Sequence, residues 1–127
     1  MTGFKRTVTM IFGFTAILAV SAQAIVFRVD RSQSASTEQR FATIQSAIDA
    51  ANPGDTVAVA IGTYSGPGNR DLDFHGKDII VYSEGQPLLT IIDCGGSPSE
   101  HHGGFIFHSG ETLEAIVEGF TIKNAYF

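Results

Sequence analysis

The chain of 127 residues has no tryptophan, four prolines and a single cysteine, Cys94. One cysteine cannot form an intrachain disulfide, so the fold has to rest on packing and not on covalent cross-links. Lysine and arginine are also scarce, eight in total against thirteen acidic residues, and they form no basic cluster. Without such a cluster, nucleic-acid binding has little electrostatic support, and we expect no nucleic-acid partner.

A long hydrophobic run is also missing, but a short one near the N-terminus has the pattern of an export signal. Lys5 and Arg6 precede an apolar run over residues 8–20, which is followed by Ser-Ala-Gln-Ala at residues 21–24. The run is shorter than the roughly 20 residues that a helix needs to cross a bilayer. The sequence therefore predicts a signal peptide over residues 1–24, cleaved after Ala24, and no stable membrane span afterwards. The remaining 103 residues have a formal charge of −7, and we expect them to be secreted or held at the cell surface.

The predicted mature chain has two parts. Residues 25–40 are mostly polar with little periodicity, which indicates an N-terminal arm, although residues 25–29 are apolar enough for one short strand. Residues 41–127 are expected to form the ordered domain. Its first element is predicted to be an amphipathic helix over about residues 43–51, with Thr43 as its N-cap. Apolar residues recur there with helical spacing, at Ile44, Ala47, Ile48 and Ala51.

After this helix the chain consists of short β-rich runs separated by Gly, Pro, Asn and Asp. They are predicted as strands over residues 56–61, 72–74, 78–82, 89–94, 104–107 and 115–123. Similar runs recur after about 22 to 26 residues, which aligns 57–59 with 79–81, 80–81 with 106–107, and 92–94 with 117–119. Such a recurrence without helical periodicity is typical of a β-solenoid, and a β-sandwich is the alternative. Several strands are apolar at successive positions, as in buried parallel sheets, and this favours the solenoid.

Residues 41–57, Phe-Ala-Thr-Ile-Gln-Ser-Ala-Ile-Asp-Ala-Ala-Asn-Pro-Gly-Asp-Thr-Val, followed by Gly62-Thr63-Tyr64, resemble the start of pectin-lyase-like right-handed parallel β-helix proteins. The similarity to this bacterial secreted group continues at residues 73–77, 91–94 and 118–124. It implies an all-β fold, a right-handed parallel β-helix of about three coils with an N-terminal capping α-helix. Members of the family continue through more coils and a C-terminal cap, so the resemblance implies a chain truncated at its C-terminus. An uncovered last coil ending at Phe127 further predicts self-association.

The resemblance implies a fold more than an activity, because the family includes pectate lyases, pectin esterases, polygalacturonases, alginate-modifying enzymes and proteins with no known activity. Its catalytic residues commonly lie on later coils, so no catalytic residue and no cofactor is assigned here. We expect a non-catalytic N-terminal portion of a secreted or cell-surface β-helix protein that contacts extracellular polysaccharide. A fragment of a carbohydrate lyase, esterase or hydrolase is one alternative, and a structural or adhesin-like surface repeat is another.

Two groups of polar residues are candidates for a site. Carboxylates on equivalent faces of adjacent coils could share a Ca²⁺ ion with an acidic sugar, but the uneven intervals favour solvated turn residues. This group is Asp71, Asp73, Asp93 and Glu118. The second group contains histidine and glutamate, residue types that bind Zn²⁺, but the glycine-rich sequence around it favours an exposed loop. It consists of Glu100, His101 and His102 with His108 or His75.

Other residues have structural interpretations. Cys94 follows apolar residues and is predicted to be a buried small hydrophobe. Residues 62–69 are glycine-rich but open no helix, so they are predicted to form a turn between coils and not a phosphate loop. Asn124 could join hydrogen bonds between coils, although the following Ala125 disfavours a left-handed turn. Aromatic side chains in strand patterns usually fill the core, which is the prediction for Tyr64, Phe74, Tyr82, Phe105, Phe107 and Phe120.

Overall fold

The computed structural model describes residues 3, 13, 15–17, 22–32 and 39–127. The predicted signal peptide lies largely outside the described residues and stays a prediction. Among the described residues, no helix is long and apolar enough to cross a membrane. In these parts of the chain the fold consists mostly of strands in parallel sheets, accompanied by one α-helix.

The elements follow one another in short segments. The helix α1 spans Ile44–Ala50, and a 3-10 turn spans Pro87–Leu89. The strands are β1 (Val26–Val29), β2 (Arg40–Phe41), β3 (Thr56–Val59), β4 (Gly62–Ser65), β5 (Leu72–Asp73), β6 (Ile80–Ser83), β7 (Thr90–Asp93), β8 (Phe105–Ile106), β9 (Ile116–Glu118) and β10 (Thr121–Lys123).

The strands form three sheets, which the chain visits in a recurring order. The first sheet has the order β2-β1-β3-β6-β9, the second β10-β7-β4, and the third β5-β8. From β3 onward the chain passes through the first, second and third sheet, repeats that order, and then returns to the first and second. All these strand pairs are parallel. Neighbours in a sheet therefore come from successive passes of the chain.

The parallel pairing was expected, but the predicted register in the first sheet is wrong. Val57 pairs with Val81, which lies 24 residues later, and not with residue 79. Val81 pairs with Val117 after 36 residues. The segment 106–107, predicted as the partner of residues 80–81, belongs to the third sheet, where Phe105 and Ile106 pair with β5. The connections differ in length, so a constant repeat does not give the register.

The second sheet also differs from its prediction. Ile92 pairs with Ile122, 30 residues later, and not with residue 117. The predicted strand over residues 115–123 is two strands in different sheets, because the chain turns between them at Gly119, whose φ is +84°. A side chain would be strained in this left-handed conformation. The glycine-rich segment 62–69 is likewise not only a turn, since it begins with strand β4.

The segment that precedes the helix forms a strand, as residues 25–29 allowed. Strand β1 lies between β2 and β3 in the first sheet. Its side chains alternate, with Phe27 and Val29 buried and Val26 and Arg28 exposed. The N-terminal segment is thus part of the same sheet as β3, β6 and β9.

The helix begins and packs as predicted. The Thr43 hydroxyl accepts a hydrogen bond from the Ser46 N–H at 3.3 Å, which confirms Thr43 as the N-cap. The apolar stripe of the helix is buried and contributes Ile44, Ala47 and Ile48 to the core. A feature that the sequence did not predict ends the helix: Lys77 Nζ donates to the carbonyl oxygens of residues 48, 49 and 51 at 2.8 to 3.0 Å. The last carbonyls of a helix lack N–H partners from a following turn, and here the Ile48 carbonyl also accepts a backbone N–H, that of Ala51 at 3.2 Å.

The core lies between the helix and the inner sides of the three sheets. The first sheet contributes Val57, Val59 and Val81, the second contributes Tyr64 and Ile92, and the third contributes Leu72, which is followed by the buried Phe74. This packing leaves the outer sides of the first and third sheets free to carry polar residues.

Candidate functional site

The outer side of the third sheet joins residues of both candidate groups. Asp71 and Asp73 flank the buried Leu72, so their side chains lie on the opposite side of the strand. The neighbouring strand β8 has His102 before it and His108 after it. Each histidine reaches one of the two aspartates across the strand pair. We call Asp71, Asp73, His75, His102 and His108 the Asp–His row.

The first pair in the Asp–His row is held tightly. His102 Nδ1 lies 2.6 Å from Asp71 Oδ2, and Asp71 Oδ1 accepts the Gly103 N–H at 2.7 Å. Partial burial raises the pKa of Asp71, but the hydrogen bonds from Gly103 and His102 outweigh it, and the pKa is lowered overall. The pair borders a groove of about 200 Å³, whose lining also includes His101, Phe105 and Phe127.

The second aspartate of the row, Asp73, contacts two histidines. Asp73 Oδ2 lies 3.0 Å from His108 Nε2 and 3.4 Å from His75 Nδ1, and Asp73 Oδ1 accepts the His75 backbone N–H at 2.7 Å. The backbone N–H of His75, and next the side chain of His108, lower the pKa of Asp73 through their hydrogen bonds. In return, the hydrogen bond to Asp73 raises the pKa of His108. Both aspartates are therefore anionic at neutral pH and already have donors.

Three residues that support this surface could not be identified from the sequence. Gln45, on α1, accepts the Asp73 N–H with Oε1 and donates to the Asp73 carbonyl oxygen, both at 2.9 Å. Its Nε2 also donates to Asp49, whose carboxylate lies 3.5 Å from His75 Nε2. Glu111 accepts the Gly76 N–H at 2.8 Å. Apart from the bond between Gln45 and Asp49, these contacts join residues 26 or more positions apart, so spacing along the chain could not reveal them.

The candidate Zn²⁺ ligands do not converge on one point. His102 is bound to Asp71, while His75 and His108 lie at Asp73. The ring of His101 lies 5.4 Å from that of Tyr126. In the part of the chain that the structure describes, no group of three or more His, Cys, Asp or Glu side chains is arranged to hold a metal ion.

The four candidate carboxylates do not stack on one face, because they belong to three different sheets. Asp71 and Asp73 lie at the third sheet, Asp93 in the second and Glu118 in the first. The Asn124 amide, and next the Lys123 ammonium, lower the pKa of Asp93. Asn124 donates to Asp93 at 2.8 Å and does so from a left-handed conformation, φ +53°, so the expectation against a left-handed turn is wrong.

The interpretations of the apolar residues largely hold. Cys94 is buried, and burial raises the pKa of its thiol, as for a small hydrophobe. Tyr64 and Phe74 are buried in the core as predicted; burial raises the pKa of Tyr64 to about 12, and its hydroxyl donates to the Ala60 carbonyl oxygen at 2.8 Å. Phe107 and Tyr82 are exceptions: Phe107 is 49% exposed, with its ring 4.7 Å from that of Phe74, and Tyr82 follows the buried Val81 and so lies on the outer side of its strand.

A second surface with functional groups lies on the outer side of the first sheet. The register places five residues in one line across five strands, which we call the outer row: Arg40, Arg28, Ala58, Tyr82 and Glu118. Arg28 also forms a 2.8 Å salt bridge with Glu84. Beside it runs a partly apolar line of Val26, Thr56, Ile80 and Ile116. The outer row could not be found from the sequence, because the predicted register of the first sheet is wrong.

No family model, no curated protein and no solved structure matches the chain. The family suggested by residues 41–57 thus stays an expectation. Function has to be inferred from the Asp–His row, the outer row and the order of the sheets.

Proposed function

We propose that the chain is the N-terminal portion of a secreted or cell-surface right-handed parallel β-helix protein of the pectin-lyase-like kind, and that this portion binds extracellular polysaccharide without catalysing a reaction. The β-helix part is supported by the recurring order of the three sheets. It is supported also by the parallel pairing of Val57, Val81 and Val117 on successive passes. Each pass would be one coil. A crystal structure of the exported chain tests this, and left-handed winding would contradict it.

The outer row is the observation that carries the binding proposal. Tyr82 offers a ring that is apolar on its face and polar at its tip, which suits contact with a sugar. The guanidinium groups of Arg28 and Arg40 can each donate two hydrogen bonds to a sugar carboxylate. Ala58, between Arg28 and Tyr82, is only 1% exposed, so a bound sugar would contact these two neighbours and not Ala58 itself.

Charge also bears on which polysaccharide would bind. The predicted mature chain is acidic, so its overall field repels an anionic polymer. Arg40 and Arg28 are adjacent on β2 and β1, which makes one end of the outer row locally cationic. Glu84 neutralises part of that charge but also holds the Arg28 side chain in place. An acidic polysaccharide would bind with its carboxylates at this end and its sugar rings towards Tyr82.

Binding assays with pectate, methylated pectin and alginate, with and without Ca²⁺, test the proposal. We expect Tyr82→Ala to weaken binding about tenfold or more, in line with an aromatic contact residue. Tyr126→Ala is the matched control, because Tyr126 is exposed and lies beside His101, outside the first sheet. Absence of binding to all three polymers, or equal binding by the Tyr82 variant and the wild type, would refute the proposed contact.

A carbohydrate-active enzyme is the second candidate, and the groove beside Asp71 favours it. An imidazole whose Nδ1 is held by a carboxylate can act as a general base through Nε2. His102 has this arrangement. We expect no turnover of the three polysaccharides by the non-catalytic portion. Turnover that His102→Gln abolishes and His101→Gln retains would favour the enzyme instead.

A further inference from the structure

Asp55 is a buried carboxylate that accepts hydrogen bonds from neutral groups. It is 5% exposed. Its Oδ1 accepts the Ile25 backbone N–H and its Oδ2 accepts the Asn52 backbone N–H, each at 2.8 Å. Buried carboxylates usually have a cation beside them, because desolvating an unpaired charge is costly. Among the described residues, none of the salt bridges includes Asp55.

The nitrogen that faces Asp55 is the one that cleavage of the leader would release. The predicted cleavage follows the small-x-small pattern of residues 22–24, so Ile25 becomes the first residue of the mature chain. Residues 22–24 are exposed, and together with Ile25 and residues 52–55 they line a groove of about 180 Å³. The bond between Ala24 and Ile25 thus lies at a groove whose wall contains the buried carboxylate.

We propose that removal of the leader supplies the cation that Asp55 lacks, because the new α-ammonium group of Ile25 forms a buried ion pair with the Asp55 carboxylate. The inference rests on the leader cleavage within the proposed function and does not depend on polysaccharide binding. Hydrolysis breaks the bond between the Ala24 carbonyl carbon and the Ile25 nitrogen. The hydroxyl of water joins that carbon and its proton joins the nitrogen, which takes a further proton from solvent at neutral pH because an α-amino group has a pKa of about 7.7 to 8.0.

The position of Asp55 gives the ion pair a structural consequence. Asp55 precedes β3, and its backbone N–H donates to the Asn52 carbonyl oxygen at 2.9 Å, in the turn that follows α1. The Thr56 N–H donates to the Ile25 carbonyl oxygen at 2.9 Å. The ion pair therefore joins the start of β1 to the turn between α1 and β3. Before cleavage only the Asp55 carboxylate in the hydrogen bond with Ile25 is charged, and after cleavage the Ile25 nitrogen is charged as well. Removal of the leader therefore strengthens this junction.

The experiment starts from the full chain, exported and processed by a host that secretes it. N-terminal sequencing of the product is expected to begin at Ile25. The product is then unfolded, acetylated near pH 7, where the α-amino group reacts and lysine is protected by its pKa of about 10.4, and refolded beside a mock-treated sample. Acetylation removes the charge but leaves one N–H on Ile25, in an amide like the one that the Ala24 carbonyl forms before cleavage. We expect it to raise the unfolding equilibrium constant about tenfold, which corresponds to about 1.4 kcal/mol.

Two variants assign the effect to Asp55. In Asp55→Asn the acetylated and free products should be equally stable, whereas Glu114→Gln, which removes an exposed carboxylate elsewhere, should keep the tenfold difference. A second readout uses the wild type alone: the folded α-amino group should be acetylated at least tenfold more slowly than the unfolded one. A mature N-terminus other than Ile25, equal reaction rates, or an acetylation effect that persists in Asp55→Asn would overturn the inference. None of these readouts involves a polysaccharide, so failure of sugar binding leaves them unaffected.

Discussion

Replacing Ile48 by aspartate tests whether the helix covers a core. Ile48 is fully buried, in a helix that packs on β1, β3 and β5. Losing the burial of an isoleucine costs about 1.5 to 3 kcal/mol, and a carboxyl group without a partner in its place adds about 2 kcal/mol or more. We therefore expect Ile48→Asp to lower the free energy of unfolding by about 3.5 to 5 kcal/mol or more, a large part of the roughly 5 to 15 kcal/mol typical of a domain.

Urea unfolding followed by circular dichroism measures the effect. Because the variant can lose its fold altogether, a graded series accompanies it: about 0.5 to 1.5 kcal/mol for Ile48→Val and about 2 to 5 kcal/mol for Ile48→Ala. With a slope of about 2 kcal/mol per molar urea, Ile48→Ala should move the midpoint by roughly 1 to 2.5 M. Ala50→Asp places the same charge on an exposed helix position and is the control. Equal midpoints for the two aspartate variants would refute the packing of the helix on a core.

Three further predictions follow from named contacts. The lowered pKa of Asp73 gives stability that is present above the ordinary carboxyl range and lost as pH falls through the folded pKa, and the raised pKa of His108 gives stability that is present below about pH 6.5 and lost as pH rises through its folded pKa. Their pair should contribute most between about pH 4 and 6.5, and His108→Gln should flatten the pH profile of thermal melts in that window. Thr43→Ala removes the N-cap acceptor and should cost about 1 kcal/mol in denaturant melts, whereas an unchanged midpoint would mean that the cap hydrogen bond does not contribute. The buried thiol of Cys94, whose pKa burial raises, should react with a thiol reagent only after unfolding, and rapid labelling of the native protein would contradict its burial.

The helix and the parallel character of the strands could be predicted because both leave local signals. Ile44 and Ile48 have the spacing of a helical stripe, and Thr43 stands where an N-cap residue is expected. The register could not be predicted in the same way. Parallel neighbours are joined by long connections, and Val57 meets Val81 after 24 residues whereas Val81 meets Val117 after 36. Any alignment that keeps apolar side chains on the inner face is locally acceptable, since shifts by two residues preserve the alternation.

The Asp–His row shows where a local signal existed and where it did not. In both Asp73-Phe74-His75 and Asp93-Cys94-Gly95, an aspartate is followed by a buried residue and then by a left-handed one. The left-handed residue donates its N–H to the aspartate Oδ1, at 2.7 Å and 3.2 Å. Gly95 makes one of these corners visible in the sequence, because glycine adopts positive φ without strain. His75 conceals the other, since histidine adopts a φ of +53° only where its surroundings hold it. The contacts that hold His75 come from Asp49 on the helix and Asp73 on the third sheet. This corner therefore depends on tertiary packing that no pattern along the chain predicts.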